Sequence, residues 1–258
     1  MPAIPARRGP RLSPRATSGT ALEDAAAVGE RVSEIRSRIA AAARRAGRDP
    51  ASVTLIGASK GQPAERVRAA WEAGVEVFGE SRVQEALAKM PLLPPAIEWH
   101  FIGPLQTNKA RAAAAALAAF HSVDRPRLAE VLHREAVRLG RVLPCFLEVN
   151  LAGEPTKHGF TADDLLTELP SLIELQGLEW VGLMSIPPAG RDATAARPWF
   201  RALAELRDRV RATLRRASFS GWLSMGMSDD FEVAVEEGAT HVRIGTALFG
   251  PRPASGDG

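Results

Sequence analysis

The chain has 258 residues, 45% apolar and 24% charged, with a formal net charge of +3. This is the balance of a soluble globular protein, and no apolar run approaches the ~18 residues of a membrane span. The single cysteine, Cys145, excludes an intrachain disulfide and any multi-cysteine metal site.

Residues 1–20 contain Arg7, Arg8, Arg11 and Arg15 and no acid, while the rest of the chain carries 29 basic and 30 acidic side chains. The basicity therefore belongs to this segment. It is rich in Pro, Arg, Ser and Gly, lacks apolar periodicity and reads as a disordered tail without the apolar core of a secretory signal. No RNA-binding aromatic signature or zinc-finger spacing accompanies it, so no nucleic-acid partner is expected. A helix is predicted over roughly 22–46, with Val28, Val32, Ile35, Ile39 and Ala42 on one stripe and Gly47 and Pro50 at its end. Strands are predicted near 53–59, 75–79, 98–103, 119–124, 143–150, 178–186, 219–226 and 240–245, with helical patterns between them. Pro63 reads as a first-turn proline. Cys145 falls inside a buried-strand pattern as a small core hydrophobe, consistent with a reducing, cytoplasmic compartment. Trp199, Phe200, Leu203, Leu206, Val210 and Leu214 stripe a later helix, and Ser228-Asp229-Asp230 is expected to begin the last one.

Strand–helix alternation implies parallel strands joined by crossover helices. Eight such units over residues 21–252, after an extra N-terminal helix, predict a single (β/α)8 TIM barrel. Residues 253–258 are expected to be a disordered C-terminus. A doubly wound open sheet is the alternative; its dinucleotide-binding form lacks a G-x-G-x-x-G after the first strand.

The candidate chemistry lies where strands end. Val53-Thr-Leu-Ile-Gly-Ala-Ser-Lys60 is a buried-strand pattern closing on a lysine, a position suited to imine chemistry because burial frees an amine's lone pair. Taken alone, such a lysine more often snorkels into solvent. Its expected neighbours reverse that reading. Leu223-Ser-Met-Gly-Met-Ser228 and Thr240-His-Val-Arg-Ile-Gly-Thr246 end the seventh and eighth strands, where barrels bind phosphate. Gly226 and Gly245 would let backbone N–H groups approach an anion, and Ser224 and Thr246 would add hydroxyl donors. A phosphate cup beside Lys60 points to pyridoxal 5'-phosphate (PLP), with Arg243 placed to face the pyridine nitrogen. His100 and His121 read as hydrogen-bonded core groups and His158 as loop surface; the five histidines show no metal spacing.

These segments, with Phe78-Gly-Glu-Ser-Arg-Val-Gln-Glu85, Trp99-His-Phe-Ile-Gly-Pro-Leu-Gln-Thr-Asn-Lys109, Val149-Asn150 with Glu154, Lys157 and Gly159, and Gly182-Leu-Met-Ser-Ile186, resemble the pyridoxal-phosphate homeostasis protein family from about residue 25 to 251. That family is similar to the barrel domain of alanine racemases, PLP fold type III. The resemblance implies a PLP Schiff base on Lys60, Ser224, Gly245 and Thr246 at the phosphate, Arg243 at the ring nitrogen, and Lys157 near the cofactor entrance. It differs in two places: Ser81 stands where the family usually has a cofactor-contacting Asn, and Ser59-Lys60-Gly61-Gln62 stands where it has Ser-Lys-Thr-Lys.

The expected function is a monomeric carrier that buffers or delivers PLP without substrate turnover, with apo PLP-dependent enzymes as recipients. The chain contains no tyrosine, the second acid/base of alanine-racemase-type catalysis, and no second domain is expected after residue 250. The alternatives are a single-domain PLP-dependent amino-acid racemase or decarboxylase, and a PLP-independent aldolase using Lys60.

Overall fold

In a computed structural model, residues 18–188, 193–214 and 219–251 are described. Most of the expected tail and the whole of 253–258 lie outside them. Helix α1, Ser18–Arg45, precedes eight strand–helix units: β1 Thr54–Ala58 with α2 Ala64–Glu72, β2 Val77–Glu80 with α3 Val83–Lys89, β3 Glu98–Phe101 with α4 Ala110–Ala116, and β4 Ala119–Val123 with α5 Pro126–Arg138. The series continues with β5 Leu143–Glu148 and α6 Ala162–Leu172, β6 Leu178–Met184 and α7 Arg197–Thr213, β7 Trp222–Ser224 and α8 Phe231–Glu236, and β8 His241–Ile244 and α9 Thr246–Phe249. All eight strands pair in parallel, and β1 closes on β8 through Ile56 opposite Arg243. Closure excludes the open-sheet alternative and brings Lys60 beside the β8 end. Among the described residues no helix is long and apolar enough to cross a membrane.

The α1 stripe is buried as expected and packs α1 against α2, α8 and α9, over the seam where β1 meets β8. Arg38 and Arg45 pair with Glu232 and Glu236 of α8 at 2.7 and 2.8 Å, and the Arg38 guanidinium lies 4.7 Å from the Phe231 ring centre. The helix ends where Gly47, at φ 66°, turns left-handed and the Arg48 N–H returns to the Ala43 carbonyl.

Most of the apolar core lies between barrel and helices; only Phe146, Val181 and Met184 form a separate cluster. Inside the barrel His121 stacks on Phe146 at 4.1 Å, with His241 edge-on to both. Cys145 is fully buried and burial pushes its thiol far up, so it serves as a packing group.

Several local expectations shift. Pro63 is the extended residue before α2, not its first helical residue. Trp199 is only half-buried on α7. The eighth helix starts at Phe231: Asp230 Oδ1 accepts from the Met227 N–H at 2.7 Å, and Ser228 caps nothing there. The ninth helix, Thr246–Phe249, was not anticipated, because four residues carry no readable period. β1 ends at Ala58, so Lys60 sits two residues beyond it and is half-buried; the desolvation argument for its chemistry does not apply.

Candidate functional site

Five of the predicted residues meet. Lys60, Ser81, Arg243, Gly245 and Thr246 line one cavity of about 290 Å3 at the carboxyl ends of the strands, near the lower limit of cofactor sites. Ala58, Gln62, Met227, Ser228 and Asp229 complete its wall. Ser228 was missed as a site residue. Its Oγ accepts the Ala247 N–H at 3.1 Å, which ties the β7 loop to the start of α9; the sequence signal was its place in the same Gly-Met-Ser turn that drew attention to Ser224.

Two predicted residues lie elsewhere. Ser224 is fully buried inside the barrel beneath the cavity, its hydroxyl 2.7 Å from Arg243 and 2.7 Å from His121 Nδ1. Lys157, on the loop after β5, borders a different cavity of about 200 Å3, and its Nζ binds Glu154 at 2.7 Å and the Pro187 carbonyl at 3.2 Å. Gly226 also serves packing: at φ 92° its missing Cβ would lie 2.5 Å from Ala234 Cβ, and its carbonyl accepts the Arg243 N–H at 2.9 Å.

Arg243 projects from β8 into the cavity floor. Its guanidinium donates to Ser224 Oγ and, at 3.2 Å, to the Ser185 carbonyl. Burial lowers it to about 10, with Glu148 and Asp230 pulling the other way, so it remains a cation at neutral pH.

A buried ionic cluster pins the turn that carries Lys60. Lys89 Nζ donates to the Ser59 carbonyl at 2.7 Å, to Glu80 at 2.6 Å and to Glu85 at 2.7 Å. Ser59 Oγ donates to Glu80 at 2.7 Å, and the Gly61 N–H to Glu85 at 2.5 Å. Lys60 is thus flanked on both sides by anchored residues. Gly61 has φ 70°, a conformation that favours glycine. Among the described residues the Lys60 side chain itself has no hydrogen bond or ion pair, so its amine is free for chemistry.

The model of the alanine racemase N-terminal domain family matches residues 31–253. A pyridoxal phosphate homeostasis protein from Aquifex aeolicus (strain VF5) is 45% identical over 224 residues, 86% of this chain and 97% of the relative. The chain belongs to the pyridoxal phosphate homeostasis protein family. PipY of Synechococcus elongatus, a structure with PLP bound, is 40% identical with a TM-score of 0.77, covering 86% of this chain and all of that one. An alanine racemase of Clostridium difficile, at 13% identity and a TM-score of 0.64, shares the fold.

In this homeostasis-family barrel the donor set fits PLP: a free amine at Lys60, a buried guanidinium at Arg243, and hydroxyl and backbone donors at Ser228, Gly245 and Thr246 in one cavity. Lys60 and Ser81 also line an adjoining chamber of about 690 Å3 with Arg82, Lys109, Arg125 and His158. His158 is an exposed residue of the loop after β5, as expected; it also borders the Lys157 cavity, and its Nδ1 lies 3.2 Å from Asp124.

Burial and then Asp124 push the Glu148 carboxyl up to about 7 against the pull of Arg243. A raised folded-state pKa means that the native protein holds this proton more tightly than the unfolded chain. The associated stability is complete below about pH 4.5 and is lost as pH rises through about 7. We expect this group to remove on the order of 3 kcal/mol of unfolding free energy between about pH 5 and pH 8. Glu148→Gln should flatten that decline in urea titrations; an identical pH profile for both proteins would contradict the assignment.

Proposed function

We propose that the chain is a PLP-binding protein that buffers or delivers the cofactor and does not turn over a substrate. The observation that carries this reading is the convergence of Lys60, Arg243 and the Ser228, Gly245 and Thr246 donors on one cavity. In this reading Lys60 holds PLP as a Schiff base, the β7 and β8 turns hold its phosphate, and Arg243 faces its ring nitrogen. When bound, PLP supplies a reversible carbonyl and an electron-withdrawing ring. A guanidinium only donates, so a nitrogen facing Arg243 accepts and stays unprotonated; this weakens the electron sink and suits storage. Ser81 borders both the cavity and the chamber, offering one hydroxyl in place of the family's amide. Ser224 supports the site through Arg243, from beneath the cavity.

The absence of tyrosine from the sequence argues against racemase-type acid/base catalysis, and the half-exposed Lys60 and exposed Thr246 suit loading and release. Apo PLP-dependent enzymes are the proposed recipients, with the protein acting as a cytoplasmic monomer. Mixing the holoprotein with an apo PLP enzyme should restore that enzyme's activity, and Lys157→Ala, next to the chamber residue His158, should change the transfer rate. Racemisation or decarboxylation of common amino acids at about 1 per second or faster would establish the enzyme reading instead.

Thr246→Val removes one donor while keeping shape. The loss of a hydrogen bond to a charged group costs about 1.5–3 kcal/mol, roughly ten- to a hundredfold in PLP affinity. Equal binding of pyridoxal and PLP by the wild type in equilibrium titrations would contradict a phosphate site at these turns.

A further inference from the structure

A continuous hydrogen-bonded chain crosses the barrel interior from its opposite end to Arg243. It starts at Glu98, the first residue of β3, whose side chain is 55% exposed and whose Oε1 lies 2.8 Å from His100 Nε2. His100 Nδ1 lies 2.9 Å from His121 Nε2, His121 Nδ1 lies 2.7 Å from Ser224 Oγ, and Arg243 donates to Ser224 Oγ at 2.7 Å. His100, His121, Ser224 and Arg243 are all buried.

When each imidazole carries one proton, the two ends dictate the direction of every proton between them. The hydrogen bond from His100 holds Glu98 below the ordinary carboxylate range, so at neutral pH it only accepts. His100 must then carry its proton on Nε2. With one proton per imidazole, its Nδ1 accepts, so His121 also carries its proton on Nε2. Burial holds His121 neutral, and its Nδ1 accepts from the Ser224 hydroxyl. Ser224 spends its one proton on His121 and turns its lone pairs to Arg243, which can only donate. No other polar group competes for the His121 nitrogens among the described residues: Phe146 stacks on its face, and His241 Nδ1 is bonded to Thr240 Oγ1 at 2.8 Å.

We propose that Glu98, His100 and His121 are positioning residues for Arg243: the charge of Glu98, through the tautomers of the two histidines, sets the Ser224 hydroxyl and thereby the way Arg243 is presented to the cavity. With NH1 held by Ser224 and NH2 by the Ser185 carbonyl, the guanidinium keeps its remaining N–H groups for a ligand. The cofactor half of this claim rests on the PLP reading; the polarity of the chain does not.

The test uses the full chain labelled with 15N-histidine. In the PLP-free protein, long-range 1H–15N spectra should show both His100 and His121 protonated on Nε2 alone. Glu98→Lys, at a half-exposed position, replaces the acceptor with a donor. It should move the proton of both rings to Nδ1, whereas Glu98→Gln, which can still accept, should keep the wild-type tautomers. In the PLP-loaded protein Glu98→Lys should shift the absorption band of the bound cofactor and weaken PLP binding about tenfold, the effect of one altered hydrogen bond. Wild-type His121 protonated on Nδ1 would overturn the proposal, as would a Glu98→Lys protein with unmoved ring protons. Reversed tautomers with unchanged band and affinity would overturn the positioning role. A protein that fails to bind PLP would refute the cofactor reading while the ring protons still report on the chain.

Discussion

Lys60→Ala should abolish covalent PLP binding and the visible absorption band while leaving the fold intact. The two expectations come from separate observations. Lys60 is the one lysine that borders both the 290 Å3 cavity and the adjoining chamber, and the chamber's other lysine, Lys109, is absent from the cavity wall. Its side chain makes no polar contact among the described residues, so its removal takes away no structural bond, and the change in stability should stay within about 0.5 kcal/mol. The proposed phosphate donors remain, so weak, reversible PLP binding without the band is the expected residue of function. Absorbance and urea unfolding on the same preparation check both halves. A variant that keeps the band would place the covalent bond elsewhere, and one that unfolds would show that Lys60 is structural.

Lys89→Met should be the most destabilising substitution at this end of the barrel, at about 3–5 kcal/mol. Lys89 is 8% exposed and spends all three of its protons, on Ser59, Glu80 and Glu85. Glu80 is completely buried, and burial already lifts its carboxyl above the ordinary range despite Lys89 and Ser59. Removing Lys89 leaves that group buried without its countercharge. Replacing Glu80 with Met as well removes both partners, and the double variant should recover much of the loss. Because the same cluster anchors Ser59 and Gly61, the single variant should also loosen the Lys60 turn and weaken PLP binding. Urea titrations of the two single variants and the double variant measure the coupling directly; a Lys89→Met cost below about 1 kcal/mol would show that the cluster does not hold the turn.

The architecture was legible because eight buried strand patterns alternate with helical stripes, and the α1 stripe from Val28 to Ala42 is buried throughout. The lining of the candidate cavity was legible where chemistry and topology coincide: Lys60 follows β1, Arg243 lies in β8, and Gly245 and Thr246 follow it, and a closed barrel makes these two strands neighbours. What could not be read depends on side-chain direction and on contacts between distant elements. Ser224 and Ser228 are four residues apart in one motif, yet one points into the barrel and the other lines the cavity, a difference fixed by where β7 ends. Lys89 is the basic last residue of α3; its burial depends on Glu80, and the two meet only when α3 packs beside β2. His100 and His121 were recognisable as hydrogen-bonded core groups, but their bond to each other and onward to Ser224 needs the alignment of β3, β4 and β7.

Borohydride reduction of the PLP-loaded protein followed by peptide mass mapping tests the central claim most directly, because reduction freezes the carbonyl–amine bond where it stands. The adduct should fall on the peptide that contains Lys60 and be absent from Lys60→Ala. An adduct on Lys109 or Lys157, or none at all in a protein that still shows the visible band, would contradict the assignment of this cavity as the PLP site.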